Sequence, residues 1–210
     1  MSPHKERIVR GTVASEHIVQ LFDETESLVA SVAAYLLAGW KRGDNLLVVA
    51  RPAHWALASA ELEASGCPVR DLIADGKLVA LDAATTMATF MVSGDPVPDK
   101  FRASVGDLVA RLTATPGTGL TIYGEMVDIL AAHGMFAAAE QLEALWNELS
   151  AQYSFCLLCG YSAAHFGDER NARHLNAVCA SHSSTDARPS DLLATWLLSN
   201  RRSKYHIEQQ

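Results

Sequence analysis

Leu46-Leu47-Val48-Val49-Ala50-Arg51-Pro52-Ala53-His54 is the stretch that decides how this chain folds. Its first five residues are apolar without interruption, the signature of a strand covered on both faces in a parallel sheet. Pro52 follows almost at once, and its fixed φ and missing N–H suit the first position of a helix. A buried strand that turns directly into a helix is the repeating half of a βαβ unit.

Working outward, the same alternation recurs. Residues His17 to Phe22 read as a strand, and Asp23 and Thr25 can cap a helix carrying Leu28, Val29, Val32, Leu36 and Leu37 at helical spacing. Beyond the central strand, a helix runs from Pro52 to Gly66, and Leu78 to Leu81 form a third strand closed by Asp82. A short helical stretch is expected over residues 87–92, then a loop from Gly94 to Asp99. Phe101, Val105, Leu108, Val109 and Leu112 share one helical face, and Leu120 to Tyr123 make a strand leading into Gly124-Glu125. A long helical region over 127–149, interrupted near Gly134, precedes the strand Phe155 to Cys159. From Ser162 to Ser190 the sequence is polar and rich in histidine, apart from the apolar stretch 175–180, and residues 191–198 predict a last amphipathic helix. The expected fold is α/β, a three-layer αβα arrangement on a mainly parallel sheet. One domain is expected over residues 15–200, with an N-terminal extension over 1–14 and a flexible tail over 201–210.

Composition narrows the function classes. With 210 residues and 49% hydrophobic content, the chain can bury a core of its own without disulfides. A net charge of −7 gives no basic face for nucleic acid, and Arg201, Arg202 and Lys204 read as a solvated tail. No apolar run reaches the ~20 residues that span a bilayer, and the first residues do not resemble a secretory signal. The four cysteines are too few for a disulfide framework. The expected location is the cytoplasm, with neither membrane nor nucleic acid as a partner.

A phosphate cradle needs glycines whose N–H groups wrap the phosphates, followed by Lys and Ser or Thr. Here the strand is followed by Arg51-Pro52-Ala53-His54, without a glycine, and no other Walker-type or dinucleotide fingerprint occurs. Ordinary Mg-NTP hydrolysis is therefore not expected.

Several strings carry a family resemblance. They are His17 to Phe22, Lys41 to Ala50 with Pro52-Ala53-His54, Gly76-Lys77-Leu78, Leu81-Asp82-Ala83, and Phe90-Met91 with Gly94 and Phe101. Further on come Tyr123 to Val127, Leu142-Glu143 with Leu145-Trp146-Asn147, and Leu157-Leu158-Cys159 with Tyr161. In this order, over roughly residues 15–183, they resemble the MEDS family, sensory domains named for methanogens, methylotrophs and a dichloromethane regulator. The resemblance implies a RecA/KaiC-like domain with a degenerate nucleotide site. It also implies sensing, of small organic molecules among other cues, beside DNA-binding or histidine-kinase modules that this sequence does not contain.

Ligands of an open parallel sheet bind outside the carboxyl ends of its strands. That rule gathers His54, Asp82 and Glu125 into one polar pocket, with Tyr123, Trp146 and Tyr161 as aromatic walls. His17 joins them only if its strand is antiparallel or at an edge, and His182 is added because Cys179-Ala180-Ser181-His182 resembles an ending seen in the family. The bland alternative is that Asp82 caps a helix and Glu125 neutralises a helix N-terminus. Cys156, Cys159, Cys179 and His182 have zinc-like spacing, but residues three apart on a strand face opposite sides, so no metal and no cofactor is assigned.

The leading reading is a non-catalytic sensory or regulatory domain that binds a small organic ligand or a signalling partner at the strand ends. It would relay to a separate histidine kinase or transcription regulator, and a homodimer is compatible with this role. The rivals are a degenerate domain retaining weak ATP or nucleotide binding, a small hydrolase or redox enzyme using Glu125 or Cys179, and a pure interaction module. A crowded strand-end crevice favours the last, and a cavity of a few hundred Å³ favours a ligand.

Overall fold

The runs that read as buried strands all join one sheet. The computed structural model describes residues 15–205. The expected extension over 1–14 and residues 206–210 of the expected tail lie outside the described residues. The strands are β1 (Glu16–Phe22), β2 (Asn45–Ala50), β3 (Leu78–Asp82), β4 (Met91–Val92), β5 (Asp95–Pro96), β6 (Leu120–Gly124), β7 (Cys156–Ser162) and β8 (Ser184–Ala187). Six of them form a sheet in the order β3-β2-β6-β7-β1-β8, and every pairing in it is parallel. The central strands β2, β6 and β7 are buried along almost their whole length, as uninterrupted apolar runs require.

Helices cover both faces. On one side lie α1 (Thr25–Arg42), α2 (Pro52–Ala64) and α3 (Val69–Ala74), packing Leu28, Leu36, Leu62 and Leu72 against Leu46, Val48 and Leu158. On the other lie α4 (Ala83–Ala88), α5 (Pro98–Phe101) and α6 (Asp107–Leu112), the last two joined by a π-helical turn. The same layer holds α7 (Met126–Ala132), α8 (Phe136–Ser150), α9 (Ala172–Ser181) and α10 (Leu192–Tyr205). Its larger core joins Val109, Leu130, Leu142, Trp146 and Val178 to Val49, Ile122 and Leu157. The fold is thus the three-layer αβα arrangement expected, with the long helical region broken at Gly134, between α7 and α8.

Two local readings need correction. The helix expected over 87–92 ends at Ala88, and Met91–Val92 instead pairs antiparallel with Asp95–Pro96. The turn between them holds Ser93 at φ 52° and Gly94 at φ 96°, the two positive φ values that a tight hairpin turn requires. The polar stretch after α9 contains the edge strand β8, which pairs with β1 and was not anticipated.

One close approach bears on the site. At Gly160 of β7, an added Cβ would lie 3.1 Å from the Tyr123 hydroxyl and 3.3 Å from Leu28. The missing side chain makes room for that hydroxyl.

Candidate functional site

Three strands that lie side by side, β2, β6 and β7, end in Arg51, Glu125 and the Ser162–His165 turn. Glu125 is fully buried and gathers the groups around it. Its Oε1 accepts from the Tyr123 hydroxyl at 2.8 Å. Its Oε2 lies 2.9 Å from Arg51 Nη1 and 2.9 Å from His54 Nδ1. The other guanidinium nitrogen of Arg51 reaches Asp128 Oδ2 at 2.6 Å. Asp128 Oδ1 accepts from the Ser162 N–H at 2.7 Å and lies 2.9 Å from His165 Nε2. Burial and the neighbouring Glu125 push the Tyr123 phenol well above its usual range, so it stays protonated and donates. Burial pushes the Asp128 carboxyl up, but His165, the Ser162 N–H and Arg51 outweigh it and hold the group below its usual value.

Beside this network, Leu28, Val29, Val32, Val48, Ala50, His54, Trp55, Ala58 and Tyr123 line an apolar cleft of about 190 Å³, counted with the solvent-open space at its mouth. It is too narrow for a water molecule as it stands. His54 and Tyr123 therefore belong both to the cleft wall and to the carboxylate network.

A second polar cluster lies in the core under α8. Glu143 is fully buried; its Oε1 accepts from the Tyr161 hydroxyl at 2.9 Å, and its Oε2 lies 3.6 Å from Cys159 Sγ. His17 Nε2 is 3.2 Å from Glu143 Oε2 and 3.4 Å from Cys159 Sγ. His182 Nε2 is 3.4 Å from Glu143 Oε1, and its ring lies 4.0 Å from that of His17. Burial and Glu143 push the Cys159 thiol well up. Burial pushes the His182 imidazole down, so it is neutral at pH 7.

Comparison with protein-family models matches residues 16–183 to MEDS, the MEthanogen/methylotroph, DcmR Sensory domain. The chain belongs to the MEDS family. A search of curated proteins returned no match.

This MEDS domain does not gather the expected site residues into one pocket. His54, Tyr123 and Glu125 meet at the strand ends. His17 does not, because β1 is parallel to β7 and places His17 near its amino end, beside Leu157. With Tyr161 and His182 it joins the buried cluster instead. Trp146 does not line the strand-end cleft: it is buried edge-on against Phe101 and Phe155. Asp82 ends the edge strand β3, and its Oδ1 accepts from the Thr85 N–H at 2.6 Å, so it caps α4. An Asp82→Ala variant is expected to lose this cap and show a lower urea midpoint, without effect on the Glu125 network.

The zinc-like set also divides. Leu157, Cys159 and Tyr161 face the α8 layer, whereas Leu158 packs toward α1, so Cys156 turns away from Cys159. Cys159 and His182 do meet, but their neighbours are His17 and Glu143. Sequence reasoning did not place Arg51, Asp128, His165 or Asn147 in a site. The available signals were the i, i+3 spacing of Glu125 and Asp128 and the i, i+4 spacing of Glu143 and Asn147, each putting two polar groups on one helical face. Among the described residues, no helix is long and apolar enough to cross a membrane.

Proposed function

We propose that this MEDS domain is a non-catalytic sensor that takes a small organic molecule at the strand carboxyl ends and relays its presence to a separate signalling protein. The observation that carries this reading is the double membership of His54 and Tyr123. Both line the apolar cleft, and both are held by Glu125. Because the cleft is closed to water, a ligand must push its lining apart, and movement of His54 loosens its contact with Glu125, which shares Arg51 with Asp128. Binding then selects an open form already in equilibrium with the closed one. Catalysis has little support at Glu125, whose two oxygens are engaged by Tyr123, Arg51 and His54. Retained nucleotide binding has little support either. A phosphate here would meet two buried carboxylates, and the Arg51 guanidinium is already shared between them.

One observation favours the second reading, a partner docked without a ligand. The crevice above β2, β6 and β7 is filled by the protein's own ion pairs. In addition, α10 buries Ala194 and Leu197 while leaving Leu192 and Trp196 largely exposed one turn apart, an apolar strip of the kind that partners cover.

Ligand-observed NMR with a panel of small neutral alcohols and haloalkanes separates the two readings. Binding by the wild type that is lost in His54→Ala and Glu125→Gln variants of unchanged far-UV dichroism supports the sensor. Binding of equal strength in both variants, or no binding at any accessible concentration, sinks it.

A further inference from the structure

The second cluster holds a buried nitrogen without a partner, which a cation would engage. The carbonyl of Val178 can only accept, and it lies 2.6 Å from His182 Nδ1, so that nitrogen carries the ring proton. In the neutral ring, Nε2 then bears a lone pair. His182 Nε2 has no hydrogen-bond partner, its side chain is fully buried, and it faces Glu143 Oε1 at 3.4 Å. His17 is arranged the same way. Asn147 Nδ2 donates to the Ser181 carbonyl, so its Oδ1 accepts from His17 Nδ1 at 2.9 Å. That leaves His17 Nε2 as the ring nitrogen that faces Glu143 Oε2 and Cys159 Sγ. Two imidazole nitrogens, a thiol and a buried carboxylate thus converge on one point, and one of those nitrogens, His182 Nε2, has no hydrogen-bond partner there.

We infer that His17, Glu143, Cys159 and His182 form a binding site for one zinc-class divalent cation. Their ligand atoms all lie within 4.8 Å of one another. A tetrahedral zinc with ligands at ~2.0–2.3 Å sets neighbouring ligand atoms roughly 3.3–3.8 Å apart. The separations among His17 Nε2, Cys159 Sγ and Glu143 Oε2, 3.2, 3.4 and 3.6 Å, fall in or beside that range, whereas His182 Nε2 lies 3.4 Å from the other carboxylate oxygen, so the set contracts from its 4.8 Å span on binding. The donor set of two imidazoles, one thiolate and one carboxylate suits zinc, and its two negative charges balance the ion, so the loaded site is neutral overall. On binding, the thiol proton of Cys159 leaves to solvent and sulfur donates to the metal.

The supporting groups have the pattern that metal ligands need. Asn147 and Val178 fix both ring tautomers, and the Tyr161 hydroxyl holds the carboxylate. Four protein ligands leave no open position, which makes this a closed structural site rather than a hydrolytic one. It would pin β1, α8, β7 and the end of α9 to one point. This site is separate from the strand-end cleft, and its test does not depend on the sensory reading.

The experiment uses the full chain without a histidine tag, stripped with chelator and titrated with Co²⁺ and Zn²⁺ alone. The expected result is about one equivalent of Co²⁺ bound, with the intense d–d bands of a four-coordinate ion, a thiolate-to-cobalt charge-transfer band, and displacement by Zn²⁺. Cys159→Ser should abolish the charge-transfer band, whereas Cys67→Ser should retain it. Asn147→Ala, which touches no metal, should weaken binding about 10–100-fold. If Cys159→Ser does not fold, His182→Gln serves in its place, with loss of four-coordinate binding expected. The inference is overturned if the stripped chain binds no Co²⁺, or if the ion is six-coordinate without a charge-transfer band. It is equally overturned if binding survives both Cys159→Ser and His182→Gln, or if ¹⁵N NMR finds His182 Nε2 protonated in Zn²⁺-saturated protein.

Discussion

Replacing Arg51 with methionine is expected to destabilise the domain by about 3 kcal/mol at neutral pH. That is the low end for breaking a buried ion pair, because the Arg51 side chain is 30% exposed while its partners are not. The loss comes from leaving Glu125 and Asp128 close together with their shared cation removed. The pH dependence distinguishes this from a loss of packing. Asp128 has its folded-state value held below the unfolded one. Its contribution is therefore present above about pH 4 and is lost as the pH falls through the folded value. Without Arg51 one cause of that depression is gone. The deficit of the variant should shrink as the pH drops into the carboxylate range. Urea unfolding of both proteins at neutral pH and near pH 3, below the unfolded-state value, checks this. A deficit that is constant or grows in acid would refute it.

Trp146→Ala should cost about as much or more, about 3–5 kcal/mol, for a different reason. Its indole packs edge-on against Phe101 at 5.3 Å and Phe155 at 6.2 Å between ring centroids. Truncation leaves a void that this aromatic stack cannot close. The urea midpoint should fall at constant m-value, and the loss should not vary between neutral and mildly acidic pH. Small-molecule binding at the strand ends should be unchanged wherever the variant remains folded. A Trp146→Ala protein of wild-type stability with altered binding would restore the sequence-based view of this residue as a site wall.

The contrast between those two residues shows what was legible. Leu46 to Ala50 reads as a buried parallel strand because both its faces need cover, and that requirement is written in the residues themselves. Strand direction is not. The placement of His17 depended on whether β1 runs parallel or antiparallel, and only pairing with β7 decides this. Ser184 to Ala187 was unreadable as a strand because it has one sheet neighbour and no apolar run. A glutamate within a helix, such as Glu143, is ordinarily a solvated charge. Here it is buried because α8 is covered around most of its girth, with Ala138, Ala139, Leu142 and Glu143 all enclosed. Helical spacing tells which residues share a face, but not how many faces the rest of the chain will cover.

The position of β1 has a consequence for how the molecule comes into being. Glu16 pairs with Cys156 and Ile18 with Ser184, so the earliest strand in the described chain lies between two of the latest. During synthesis β2, β3 and β6 can pair while β1 still has no neighbour in the sheet. Such long-range closures are slow, because the entropy of closing the loop must be met before any contact rewards it. Until β7 and β8 emerge, Val19 and Leu21 remain an uncovered apolar edge, the surface a chaperone would hold and the one through which nascent chains would associate.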